Sequence, residues 1–214
     1  MRINADFSKK VAVIPDDTQW ICSPESGVDR RMLDRIGDEV ARATSVVRYG
    51  PGSSFPRHEH AEGEEFLVLE GIFSDESGDF PTGSYVRNPP GSGHAPHSTD
   101  GCRILVKLRQ FDPADLRQVS INTRDRKYWG AQANTLLLHE FGTERVQMQK
   151  IPVGETLAIA AESLGTEIFV VEGLVETDCQ EYGSESWLRF PAGSADILTA
   201  TADTLVWMKT GHLC

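Results

Sequence analysis

No stretch of this sequence approaches the ~18 consecutive apolar residues of a membrane-spanning helix. The opening Met1-Arg2-Ile3-Asn4-Ala5-Asp6 lacks the apolar run of a secretory leader. The four cysteines, Cys22, Cys102, Cys179 and Cys214, are scattered, with no CxxC pair and no disulfide-framework spacing. A reduced, cytoplasmic location is therefore expected. There is no basic stripe: the densest cluster, Arg124-Asp125-Arg126-Lys127, contains an acid, and the net charge is -11. Such a balance repels nucleic acid and anionic membrane surfaces, and neither is expected as a partner. Low-complexity segments are also missing.

What is present is a succession of short β-rich runs cut by turns. Ala43-Thr-Ser-Val-Val-Arg-Tyr49 stops at Gly50-Pro51-Gly52, and Phe66-Leu-Val-Leu69 closes at Glu70-Gly71. Ser84-Tyr-Val-Arg87 leads into Asn88-Pro89-Pro90-Gly91, and Arg103-Ile-Leu-Val-Lys-Leu108 follows the next loop. Runs of this length bounded by Gly, Pro and Asp predict an all-β antiparallel barrel or sandwich. One short helix, around Asp29 to Asp34, is the single early exception the pattern allows.

An internal repeat sets the domain count. Gly63-Glu-Glu-Phe-Leu-Val-Leu-Glu-Gly71 recurs as Gly165-Thr-Glu-Ile-Phe-Val-Val-Glu-Gly173, an offset of 102 residues. The same offset carries Gly52 to Gly154 and Pro89-Pro90-Gly91-Ser92-Gly93-His94 to Pro191-Ala192-Gly193-Ser194-Ala195-Asp196. Two copies of one β unit follow. The expected domains are 1–114 and 115–214, linked near Asp112-Pro113-Ala114-Asp115.

Four of the six histidines lie between positions 58 and 97. His58 and His60, two apart on a strand, share one face and can chelate one ion. Glu64 begins the next strand after a short turn, and His94 arrives about thirty residues later, just past a Pro-Gly bend. Imidazoles with one carboxylate suit zinc, iron, manganese, nickel or copper and fit calcium poorly.

The spacings Gly52-x5-His58-x-His60-x3-Glu64-x6-Gly71 and Gly83-x5-Pro89-x-Gly91-x2-His94 resemble both motifs of the cupin superfamily. The resemblance implies two tandem cupin jelly-roll barrels, the first with a metal on His58, His60, Glu64 and His94. One motif position departs: where cupins carry an Asn after that last His, this chain has Ser98, outside the ligand set. More narrowly, residues 20 to 110 resemble the cupin domain of ChrR-type anti-sigma factors. The resemblance rests on Trp20, Ser23-Pro24, Gly27-Val28, Met32-Leu33, the Gly63–Gly71 run and Asn88-Pro-Pro-Gly-Ser-Gly-His-Ala-Pro96. It implies zinc as the metal, with iron, manganese and nickel as alternatives, and a part in sigma-factor release under oxidative stress. The helical domain by which such proteins grip a sigma factor, with its His-x3-Cys-x2-Cys site, has no counterpart in these residues.

At the 102-residue offset the four ligands become Ala160, Glu162, Thr166 and Asp196, which cannot hold a transition ion. The second barrel is expected to be structural, with room for a small polar pocket. Around the first site, His97 reads as a loop residue, with a supporting place behind a ligand as the alternative. Tyr85 reads as an ordinary strand aromatic, Glu62 and Glu65 as solvent-facing, His139 as a strand histidine and Cys102 as a buried thiol; His212 carries no signal.

Two functions stay open. One is a metal-dependent regulatory or stress-sensing module acting on a protein partner in sigma-factor regulation. The other is a non-haem metal-dependent dioxygenase that takes a small organic molecule in the first barrel. A sugar-binding or isomerase cupin has no specific support, and exposed sheet edges together with cupin habit lead us to expect a homodimer.

Overall fold

The computed structural model describes residues 1–130, 133–161, 164–177 and 180–213. It is nearly all β, with two 3-10 turns at Pro15–Asp17 and Arg126–Tyr128 and no α-helix among the described residues. Among the described residues no helix is long and apolar enough to cross a membrane. The segment around Asp29 to Asp34, expected as a helix, lies instead inside the strand Val28–Gly37. That strand hydrogen-bonds along its length to Ala41–Tyr49, and the ladder overrides the weak local preference of Asp29-Arg30-Arg31.

The chain divides into two compact units, Met1–Ala5 with Gln19–Asp125, and Asp6–Thr18 with Arg126–Cys214. The division thus falls after Asp125, where 1–114 and 115–214 were expected. The reason is edge protection. In the first unit Val119–Asn122 covers the open edge of Ser84–Asn88, with Arg87 opposite Val119. In the second unit the equivalent edge, Trp187–Phe190, is covered by Val11–Val13, so the Asp6–Thr18 segment belongs there.

The main sheet of the first unit runs Val28–Gly37, Ala41–Tyr49, Cys102–Leu108, Glu64–Asp75, Ser84–Asn88, Val119–Asn122. The second unit repeats the order with Thr135–Phe141, Glu144–Ile151, Thr204–Thr210, Thr166–Glu172, Trp187–Phe190, Val11–Val13. Even an irregularity recurs: the register shifts opposite Arg103/Ile104 in the first unit and between Val170 and Glu172 in the second. Gly71, with φ +74°, follows the first shift; a Cβ there would lie 2.2 Å from the Gly101 carbonyl oxygen, so only glycine fits.

Alternation along the strands decides what each barrel contains. In the first unit Val47, Tyr49, Phe66, Val68, Ile104 and Val106 face inward with Phe73 and Val86. In the second, Ile168, Val170, Leu188, Phe190, Leu198 and Val206 pack into one closed apolar cluster.

Candidate metal centre

The short strand His58–His60 pairs with Ser92–His94, so that His94 lies opposite His58 and Ser92 opposite His60. The approach is close at Gly93, where a Cβ would sit 2.5 Å from the His58 carbonyl oxygen. Glu64 opens the Glu64–Asp75 strand, after a turn in which Gly63 takes φ +79°. Three elements thereby bring three rings and a carboxylate to one point. The imidazole centroids are 5.1 Å (His58 to His60), 5.1 Å (His58 to His94) and 4.7 Å (His60 to His94) apart. One ligand atom from each of His58, His60, Glu64 and His94 falls within 4.8 Å of the others.

The outer hydrogen bonds fix which ring nitrogens point inward. His58 Nδ1 lies 3.0 Å from the Pro56 carbonyl oxygen, which can only accept. His94 Nδ1 lies 2.9 Å from Asp75 Oδ2, again an acceptor. His60 Nδ1 lies 3.2 Å from Ser92 Oγ, whose own hydrogen is donated to the Pro89 carbonyl oxygen at 2.6 Å. Each Nδ1 therefore carries the proton, and each Nε2 presents a lone pair to the centre.

The centre also shows what a cation would satisfy. His60 Nε2 is buried with no hydrogen-bond partner. It lies 3.6 Å from Glu64 Oε1, and His94 Nε2 lies 3.5 Å from the same oxygen. Two ligands of a tetrahedral ion with bonds of about 2.1 Å are about 3.4 Å apart. Burial pushes the Glu64 carboxyl up to about 7, against the pull of its hydrogen bond from Asn88. Burial, and then the two neighbouring rings, push His60 down to about 3. His94 is also lowered by burial, though Asp75 opposes it. Three converging lone pairs and a buried carboxylate are mutually repulsive alone and mutually satisfied around one cation. These residues fit a transition ion.

A cavity of about 550 Å³ adjoins the cluster, and His58, His60, Glu64 and His94 all line it. Its remaining wall is largely apolar, from Val47, Phe55, Phe73, Ile104, Val106 and Leu108. The volume lies in the range of small-molecule sites.

Asp75, Asn88 and Ser92, which orient the ligands, were not singled out in the sequence. Asn88 and Ser92 lay inside the Asn88–Pro96 run that carries the resemblance, without a role assigned; Asp75, beyond the Glu70-Gly71 turn where the strand was expected to close, left no trace. Asp75→Asn should lower metal affinity roughly 10- to 100-fold, because the amide cannot hold the His94 Nδ1–H as a carboxylate does. Competition against a calibrated chelator reads this directly.

Glu65 corrects an expectation. It is 2% exposed, accepting from Tyr85 Oη at 2.7 Å and from Arg87 at 2.9 Å. Strand alternation sends it to the face opposite Glu64, but that face is covered. Tyr85 is the strand aromatic expected, buried away from the cavity. Glu62 is exposed and paired with Arg109. His97 is exposed on the short strand His97–Ser98, where it does not reach the cluster. Cys102 is a buried free thiol that burial pushes up to about 11, and Cys22 is free and exposed. Cys179, Cys214 and Glu162 lie outside the described residues.

In the second unit Ala160 is exposed, Thr166 is buried, and Asp196 forms an ion pair with Lys10. No other metal-ligating group occurs among the described residues. A polar recess does lie there, lined by Glu176, Thr177, Asp196 and Thr199. His139 is buried on its strand, and the side chain of His212, 3% exposed, lies 3.5 Å from Glu167.

An antiparallel barrel carrying an inward cluster of three imidazoles and one carboxylate is the cupin arrangement, and this chain has the cupin fold. Within it, residues 8–112 match the family described as the ChrR Cupin-like domain. Solved structures agree over both barrels. Bacterial pirin YhhW of Escherichia coli, in complex with nickel(II), superposes with a TM-score of 0.71 at 15% identity, covering 94% of this chain and 98% of that one. A candidate dioxygenase of Nostoc punctiforme gives 0.76 at 12%, over 95% and 82%. Protein Ylba of Escherichia coli gives 0.73 at 13%, over 96% and 92%. No curated protein matches the sequence. At these identities the structures establish the fold alone.

Proposed function

We propose that the first barrel is a mononuclear metal centre that carries out oxygen-dependent chemistry on a small organic molecule held in the adjoining cavity. The observation that carries this reading is the cavity itself, whose wall includes all four candidate ligands. Four protein ligands leave two positions on an octahedral ion, and here the space beside the ligands is largely apolar and large enough for a substrate. A structural zinc site, by contrast, is closed by its four ligands and needs no cavity. His58, His60, Glu64 and His94 would hold the ion, which would supply Lewis-acid activation and, as iron, one-electron chemistry with oxygen. Around it the chain's residues fix the tautomers and keep the carboxylate buried.

A second reading, a stress-sensing module, is favoured by the match of residues 8–112 to the ChrR Cupin-like domain. Under that reading metal loss or oxidation would be transmitted to a protein partner.

Open coordination separates the two. Protein loaded anaerobically with iron(II) and exposed to nitric oxide should give the electron paramagnetic resonance signal of a high-spin iron nitrosyl. Its absence in protein shown by elemental analysis to hold iron would mean a closed centre, and would sink the catalytic reading.

A further inference from the structure

Arg30 and Ser23 line the same cavity as the metal cluster, and the fold has no use for their polar groups. Arg30 lies opposite Val47 in one ladder, and Val47 opposite Ile104 in the next. Residues opposite one another share a face, so Arg30 starts an inward row that is otherwise apolar. Ser23 reaches that face through the preceding hairpin. Ile21 lies opposite Arg30, and the Ser23 N–H donates to the Val28 carbonyl oxygen at 2.8 Å. Ser23, two residues after Ile21, therefore stands diagonal to Arg30, within reach of a long side chain. Ser23 Oγ and Arg30 Nε are both buried without a hydrogen-bond partner. The Arg30 side chain is 16% exposed, and its Nη2 donates to the exposed Glu39 at 3.2 Å. An aliphatic residue would continue the row without leaving a donor unsatisfied.

The charge of the cavity, with the ion counted, says what those two donors meet. Apart from the four ligands, the wall carries three cations, Arg30, Arg57 and Arg109, and three carboxylates, Glu25, Glu39 and Glu59. These cancel. A divalent ion held by three neutral imidazoles and the Glu64 carboxylate leaves one positive charge uncompensated. A monoanion is favoured there and a cation is repelled. Arg57 and Arg109 are engaged by Glu76 and Glu62, so of the three arginines Arg30 alone keeps a buried donor unpartnered. An N–H and an O–H side by side match the two oxygens of a carboxylate.

We propose that the cavity takes an organic monocarboxylate with an apolar body, its carboxylate held by Arg30 Nε and Ser23 Oγ and its body lying along Val47, Ile104 and Val106 towards the metal. The inference rests on the reading of this cavity as the place where a small molecule meets the metal, and it names the class of that molecule.

The test titrates zinc-loaded protein by calorimetry with hydrocinnamate, with phenylpropylamine of opposite charge, and with propylbenzene, which has no charged end. Zinc has no redox chemistry, so the probes stay intact. Hydrocinnamate should bind the wild type about 10-fold or more tightly than the amine. Arg30→Met should weaken hydrocinnamate roughly 10- to 100-fold, the worth of a charge-assisted hydrogen bond, and Ser23→Ala roughly 3- to 10-fold. Arg57→Met removes the same charge from an exposed pair and should change the affinity less than about 3-fold. Propylbenzene should bind every variant alike, which reports an intact cavity. An amine as tight as hydrocinnamate, an Arg30→Met effect no larger than that of Arg57→Met, a propylbenzene loss in step with hydrocinnamate, or no hydrocinnamate binding to the wild type would each overturn the proposal. Wild-type protein that retains no zinc yet keeps the Arg30 and Ser23 differences would count against the metal reading alone and support the carboxylate site.

Discussion

His94→Ala should cost the protein roughly 100- to 1000-fold in metal affinity, and His60→Ala should do the same. The estimate follows from sharing a typical transition-metal binding energy of about 10–16 kcal/mol among four ligands, so that each is worth roughly 2.5–4 kcal/mol. Both rings are buried, His94 at 4% and His60 at 6% exposure, and each holds its Nε2 within 3.6 Å of Glu64 Oε1. Water entering the vacated space would be a poorer donor than an imidazole already locked in the correct tautomer. Elemental analysis of protein purified without a metal-chelating tag, followed by chelator competition, measures the loss. His97→Ala and Asp196→Asn are the matched controls. His97 lies outside the cluster, and Asp196 is engaged by Lys10, so neither should alter metal content. Unchanged metal in His94→Ala would remove the assignment of the centre.

The sequence made this cluster legible because its parts obey short-range rules. The i, i+2 relation of His58 and His60 follows from strand geometry, and the glycines at 63, 71 and 93 mark where the backbone must turn or approach closely. The repeat at an offset of 102 residues predicted two like units, and their strand orders correspond. What stayed hidden depends on long-range placement. Asp75 is nineteen residues from His94 and meets it only because the strand Glu64–Asp75 runs the height of the barrel. Asn88 reaches Glu64 across a ladder that no local pattern announces. The unit boundaries were displaced for a similar reason: which segment covers a sheet edge is decided by pairing at a distance, as Val11–Val13 on Trp187–Phe190 shows.

The burial of Glu65 was missed although its signal was present in the repeat. The offset that carries Glu65 to Glu167 also carries Arg87 to Arg189 and Lys107 to Lys209. In both units the acid faces both cations across the sheet: Glu65 opposite Arg87 and Lys107, Glu167 opposite Arg189 and Lys209. All six are at most 2% exposed. An ionic triad that recurs while the metal ligands do not belongs to the fold, not to the chemistry.

That triad yields the largest expected effect on stability. Arg87→Met should destabilise the first unit by about 3–5 kcal/mol, because it removes the donor that Glu65 Oε2 holds at 2.9 Å and Asp115 Oδ2 at 3.0 Å. Both carboxylates are at most 2% exposed and would have to be protonated or rehydrated. The stacking of the guanidinium on Phe111, 4.0 Å from the ring centroid, would be lost as well. Phe111 is also the ring against which Gly63 packs, directly before Glu64. Residues 64 and 65 therefore couple the two faces of the sheet: one carboxylate goes to the metal cluster, the next to the buried arginine. Chemical denaturation followed by a probe in the first unit measures the loss, and metal affinity measured on the folded variant should fall with it. Arg145→Met, which breaks an exposed pair with Glu140, should cost less than about 1 kcal/mol. If Arg87→Met were as mild as Arg145→Met, the ionic triad would be dispensable and the strand carrying Glu64 would be held by its apolar neighbours alone.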